Sequence, residues 1–234
     1  MCVILANFTD SLVGYEHDVH KIATFFRERG YEVVGGSDDR GEWRNLTASS
    51  MRERLAELTR RLRSENTSYQ RLFVFILSAL GRLSHCDVTS DAPEDDFSPR
   101  ELVSAITNVD KLRSVPKLFF VHNCSSAYDA RVNKTVDGGA TWQHATEFEL
   151  SAHNMLFYKS LDLAHRSIVV PGHGSWLVET IVQAFRDFEW EYSVRDILAM
   201  VNRHIGKLFD EDGRSHRLPS WLSTLASPFF LTQH

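Results

Sequence analysis

The side chains able to do chemistry in this sequence are three cysteines, Cys2, Cys86 and Cys124, and 11 histidines. Cys124 is the best-placed nucleophile. It closely follows the apolar run KLFFV at 117–121, so it stands at the carboxyl end of a buried strand, where open α/β sheets carry their sites. A thiol attacks a carbonyl only as the thiolate, and a free cysteine with a pKa of about 8.5 is only a few per cent ionised at neutral pH. A base must therefore lie close by. His122 shares a strand face with Cys124, because residues two apart point the same way. Parallel neighbouring side chains seldom reach the ~3 Å approach that proton transfer needs. His85 sits in the polar, acidic stretch 81–97 and needs a loop to swing it across. The plainer readings are that Cys124 is a small buried apolar residue and that His85 is a solvated loop histidine. His17 and His20 have the spacing of a ligand pair, but no third ligand is placed near them, so no metal is expected. Gly35, Gly36 and Gly41 lack the strand-to-helix context of a phosphate loop, and no cofactor is implied.

Four wholly or largely apolar runs read as strands: 2–6 (CVILA), 31–34, 72–77 (LFVFIL) and 117–121. Continuous apolar runs of this length belong to strands buried on both faces. Between them, Val19, Ile22, Ala23 and Phe26 recur at helical spacing with Gly30 as a stop, and Met51, Leu55, Leu58 and Leu62 form a second stripe. Ser98-Pro99-Arg100-Glu101 reads as a capped helix start. Strand and helix alternate, which predicts an α/β fold with a parallel sheet and crossover helices. Residues 125–151 show no clear periodicity, too long for an ordinary connection in a compact domain. Beyond them come a short strand at 155–158, a helix opened by Gly174-Ser175, and a helix opened by the capping box Ser193-x-x-Asp196. The pattern predicts strands at 218–225 and 229–232 to finish the chain.

The 234 residues carry a net charge of −5, with 43% hydrophobic and 24% charged residues. That length suits one α/β domain or two small lobes. A mildly acidic balance argues against binding a phosphate backbone, so no nucleic acid is expected. No apolar run reaches the roughly 18 residues of a membrane span. Three irregularly spaced cysteines point to a reducing, cytoplasmic setting. The N-terminus has no basic leader and reads as a strand that begins abruptly, as though an extension preceded it.

Five segments, in order, resemble the peptidase domain of caspases. Residues 72–81 (LFVFILSALG) resemble the strand that delivers the family's Ser-His-Gly, and 116–124 (PKLFFVHNC) the strand ending in its Gln-Ala-Cys-Arg-Gly. Residues 174–176 match Gly-Ser-Trp, 201–203 match Val-Asn-Arg, and 218–230 resemble the terminal segment. The resemblance spans essentially the whole chain. It implies a caspase-like fold: a central, mostly parallel six-stranded sheet with helices on both faces. Residues 1–124 correspond to the large subunit, 125–152 to the inter-subunit linker and 153–234 to the small subunit.

The resemblance also assigns the site, and there the sequence departs from the pattern. Cys124 takes the nucleophile position. The family's base lies about 50 residues upstream; here Ala79 occupies that place, 45 residues before Cys124, and alanine transfers no proton. Leu80 follows where the family has an oxyanion glycine, and Ser125 and Ser126 follow the cysteine. The family's aspartate pocket uses two arginines and a glutamine, replaced here by Leu12, Val169 and His122. Leu12 and Val169 make the pocket apolar, and His122, which could carry charge, is one weak donor in place of two bidentate forks. Asp137, before Gly138, resembles an aspartate at which caspases are cut between subunits; an ordinary turn is the plainer reading. Phe229, Phe230 and Leu231 lie in the segment matched to the dimerising last strand. The chain is thus expected to be a pseudocaspase that regulates caspase activity and apoptosis by pairing with an active caspase or with itself. One alternative is a cysteine endopeptidase that uses Cys124 with His85 or His122 and has non-aspartate specificity. Another is a scaffold for a non-caspase partner.

Overall fold

A computed structural model describes residues 1–7, 15–35, 43, 46–64, 68–79, 99–124, 153–160, 169–170, 173–211 and 218–232. The strands are β1 (Cys2–Asn7), β2 (Val33–Val34), β3 (Leu72–Ala79), β4 (Lys117–Cys124), β5 (Met155–Ser160), β6 (Val169–Val170), β7 (Gly174–Ser175) and β8 (Ser220–Ser223). The helices are α1 (Tyr15–Glu28), α2 (Ala48–Arg63), α3 (Pro99–Thr107), α4 (Trp176–Phe188) and α5 (Val194–Glu211). Six strands form one sheet in the order β2-β1-β3-β4-β5-β8. Every pairing in it is parallel except β5 with β8. β6 and β7 form a separate antiparallel ribbon.

Burial on both faces explains why β1, β3 and β4 are apolar throughout. Ile4, Phe73, Phe75, Leu118, Phe120 and Tyr158 pack against α1, α4 and α5 on one face. Val3, Leu5, Val74, Ile76, Phe119 and Val121 pack against α2 and α3 on the other. The helical stripes meet these faces as their spacing predicts: Val19, Ile22, Ala23 and Phe26 are buried in the first core, and Met51, Leu55, Leu58 and Leu62 in the second. Gly30 ends α1 with φ +73°, a conformation that suits glycine. Ser193 caps α5, its Oγ accepting from the Asp196 amide at 3.3 Å. Lys117, charged within an apolar strand, is tolerated because its Nζ donates to the carbonyls of Leu112 and Val115 at 2.6 and 2.8 Å. Burial lowers its pKa to about 8.

The chain's end departs from expectation. A strand does form within 218–225, as β8, and among the described residues it is an edge strand of the sheet. No strand forms at 229–232. Phe229 and Leu231 are buried in the chain's own core, and of the expected interface residues only Phe230 is exposed. The reason is competition for its backbone groups from distant parts of the chain. The Phe229 carbonyl accepts from the Val194 amide at 2.8 Å, and the Leu231 carbonyl accepts from Arg71 and from the Tyr31 hydroxyl. The Phe229 ring lies 5.9 Å from Phe73 and beneath the Arg71 guanidinium. Those bonds and ring contacts replace a ladder.

Phe229→Ala is therefore expected to cost about 3 kcal/mol of monomer stability, as for other buried Phe truncations. Urea unfolding at two protein concentrations checks this: the loss should be the same at both, whereas an interface residue would show a loss that depends on concentration.

Candidate functional site

The last rung of the β3–β4 ladder pairs Ala79 with Cys124. Neighbouring strands run about 4.8 Å apart, so the residue beside the cysteine across the sheet is an alanine. The backbone of both residues is described and their side chains are not. Leu12, His85, Cys86 and Asp137 lie outside the described residues.

One pleat earlier, His122 faces the core shared with α1 and α4, between Leu77 on β3 and Ser160 on β5. It is buried, and it lines a small apolar cavity with Ile22, Leu77, Phe120, Tyr158 and Leu177. Loss of hydration lowers its pKa to about 4, so the imidazole is neutral at pH 7. This burial disfavours the charged form that the sequence reading allowed for His122. The same burial makes it a poor proton acceptor for a neighbouring thiol, since an efficient base titrates near the working pH.

Val169 pairs with Ser175 across the small β6–β7 ribbon, which brings its backbone to the mouth of α4. That mouth is built by Gly174-Ser175-Trp176. Ser175 caps α4, its Oγ accepting from the Val178 amide at 3.2 Å. Gly174 has φ +88°, and a Cβ there would lie 2.2 Å from Asp18 Oδ1. Asp18, on α1, is fully buried, and its Oδ1 accepts from the Ser175 amide at 2.8 Å. Desolvation raises its pKa to about 7, although the Ser175 hydrogen bonds and Lys21 oppose the rise. Sequence reasoning missed Asp18, because an acid in the first turn of a helix is ordinary on dipole grounds. The usable signal is its place beside Val19, at the head of the apolar stripe.

The Val201-Asn202-Arg203 match has a structural role. Val201 is core, and the Asn202 carboxamide oxygen accepts from the Tyr158 hydroxyl at 2.8 Å. Its Nδ2 donates to the Pro219 carbonyl at 2.7 Å. Asn202 thus ties β5 to the segment that leads into β8.

A parallel sheet ending one inner strand in cysteine, with a single antiparallel edge strand and helices on both faces, has the architecture of an α/β thiol-peptidase domain. The caspase-domain family model matches residues 1–230, and the chain belongs to that family. Among solved structures it is similar to "pro-sf-caspase-1", with a TM-score of 0.69 and 19% identity over 99% of this chain and 93% of that one; that likeness concerns the fold. No curated protein matches the chain.

His122 yields a pH prediction. Its pKa falls from 6.5 in the unfolded chain to about 4 in the folded one. The unfolded state therefore binds more protons between those values. The stability is fully present above pH 6.5 and is lost as pH falls toward 4. His122→Gln should remove about 2–3 kcal/mol of that acid-side loss. Urea unfolding at pH 7 and at pH 4.5 checks it: equal pH differences for the two proteins would refute the assignment.

Proposed function

We propose that this caspase-family chain is a non-catalytic regulator that pairs with an active caspase, or with itself, and shifts caspase activity, with apoptosis the natural setting. One observation supports this best: the residue in register with Cys124 on the neighbouring strand is Ala79. Loss of general-base help alone costs on the order of 10²–10⁴ in rate. The neutral, buried His122 offers no replacement, and Leu12 and Val169 stand where the resemblance expects arginines.

The pairing surface in this reading is the edge strand β8, in place of 229–231. The Thr224 amide bonds inward to the Met155 carbonyl at 2.7 Å. Alternation along an antiparallel strand then turns the Ser223 N–H toward the open edge, where a second sheet adds by backbone hydrogen bonds. A partner seated there acts on the active subunit through differential contact with its two states.

The test has two arms. Peptide libraries with P1 aspartate or P1 apolar residues should show no turnover above that of Cys124→Ala; turnover abolished by Cys124→Ala would replace this reading with the peptidase one. Sedimentation and activity assays of mixtures with candidate caspases should show a complex and altered cleavage. Ser223→Pro, which removes an outward donor and leaves the internal ladder intact, should weaken the complex at least tenfold. Neither complex nor activity change with any caspase tried, and no self-association, would sink the proposal.

A further inference from the structure

From the contact between α1 and the start of α4 we infer that Asp18 is a proton-dependent latch on the Gly174-Ser175-Trp176 turn, tight when the carboxyl is protonated and loosened when it is ionised. The geometry carries this. The Asp18 side chain is fully buried, and its Oδ1 receives the Ser175 amide at 2.8 Å. Its Oδ2 has no hydrogen-bond partner among the described residues. Gly174 is packed so closely that no side chain fits between the turn and the carboxyl. A buried carboxylate with one satisfied oxygen is poorly compensated when charged. It recovers hydration only if the turn and α1 part, so ionisation favours local opening of this contact.

Among the described residues, the charged groups around it are few. Lys21, on α1, is held by Glu179 of α4 and by the His173 carbonyl. Lys21 favours the carboxylate and Glu179 opposes it. His17 and His20 flank Asp18 on exposed positions of α1, Glu16 is likewise exposed, and His173 precedes the turn and is exposed. β1 brings one titratable side chain, Cys2, which lies toward Arg27 at the far end of α1.

The sign follows from burial. The Asp18 pKa rises from 3.8 to about 7 on folding, so the folded state binds more protons across that window. The contribution is full at low pH and is lost as pH rises to about 7, beyond which the loss is complete. The neutral isostere Asp18→Asn keeps an acceptor for Ser175 and has no charge to bury.

The Ser175 amide signal in ¹H–¹⁵N spectra is expected to titrate with a midpoint near pH 7 in the wild-type chain and in His173→Gln, and to stay flat in Asp18→Asn. The melting temperature of Asp18→Asn should match wild type near pH 4 and exceed it by on the order of 5 °C at pH 8.5. A flat wild-type Ser175 signal, or a midpoint that survives in Asp18→Asn or disappears in His173→Gln, would overturn the latch. Equal melting profiles of the two proteins would do the same. If Asp18→Asn does not fold, the wild-type and His173→Gln titrations decide the matter alone. These readouts require no caspase partner, so the latch and the proposed regulatory role stand or fall separately.

Discussion

Burial of the β3–β4 ladder on both faces is the constraint from which the other features follow. Eight rungs, from Leu72–Lys117 to Ala79–Cys124, hold the two strands in one parallel register. A slip by one residue would turn Phe73, Phe75 and Leu77 out of one core and into the other, exchanging every contact with α1 and α4 for contacts with α2 and α3. Because both cores are filled, the register is fixed by packing along its whole length. The stacked rings of Phe75 and Phe120, 4.6 Å apart, add a cross-strand contact in its middle. The pairing of Ala79 with Cys124 is then a consequence of the large apolar residues that precede both on their strands, from Leu77 and Val121 backward.

The same two-sided burial sets the titration behaviour. Asp18 and His122 both lie on the α1/α4 side of the sheet, and water is excluded from both. Burial disfavours charge in each, but the charged form is the deprotonated one for the acid and the protonated one for the imidazole. Their contributions to stability therefore run in opposite directions over an overlapping range, roughly from pH 4 to 7. A wild-type stability profile that is flat in this range is compatible with two large, cancelling linkages. Single substitutions separate them and the intact protein does not.

Much of the scaffold was legible in the sequence because hydrophobic periodicity reports burial directly. The runs at 2–6, 72–77 and 117–121 became inner strands, and the stripes from Val19 and Met51 became core helices. The terminal segment was misread for a physical reason. Phe-Phe-Leu has strand propensity, yet the Arg71, Tyr31 and Val194 groups that claim its carbonyls lie far away in sequence. Asp18 was invisible for the converse reason: its burial depends on Gly174, more than 150 residues away, coming within van der Waals distance. His122 lies in the strand that the apolar run at 117–121 marks, but its loss of charge depends on how deeply α4 covers it. Non-local packing set all three outcomes.

The motifs that match the caspase pattern and those that depart from it divide along a physical line. Gly174 is the residue that fits against Asp18, Ser175 caps α4, and Asn202 bridges Tyr158 to Pro219. Changing any of these would leave a steric clash or unpaired polar groups in the interior, at a cost of about 1–3 kcal/mol for each lost buried hydrogen bond. The positions that the resemblance reads as departures, 79 and 169, fall at the final rung of an inner strand and on a two-residue ribbon. His122 is the exception among the departures, since it lies within the core. There the apolar packing around the imidazole keeps it neutral. The register and the caps are thus set by the two cores and by Gly174, Ser175 and Asn202, residues distinct from those the resemblance places at the nucleophile and base positions.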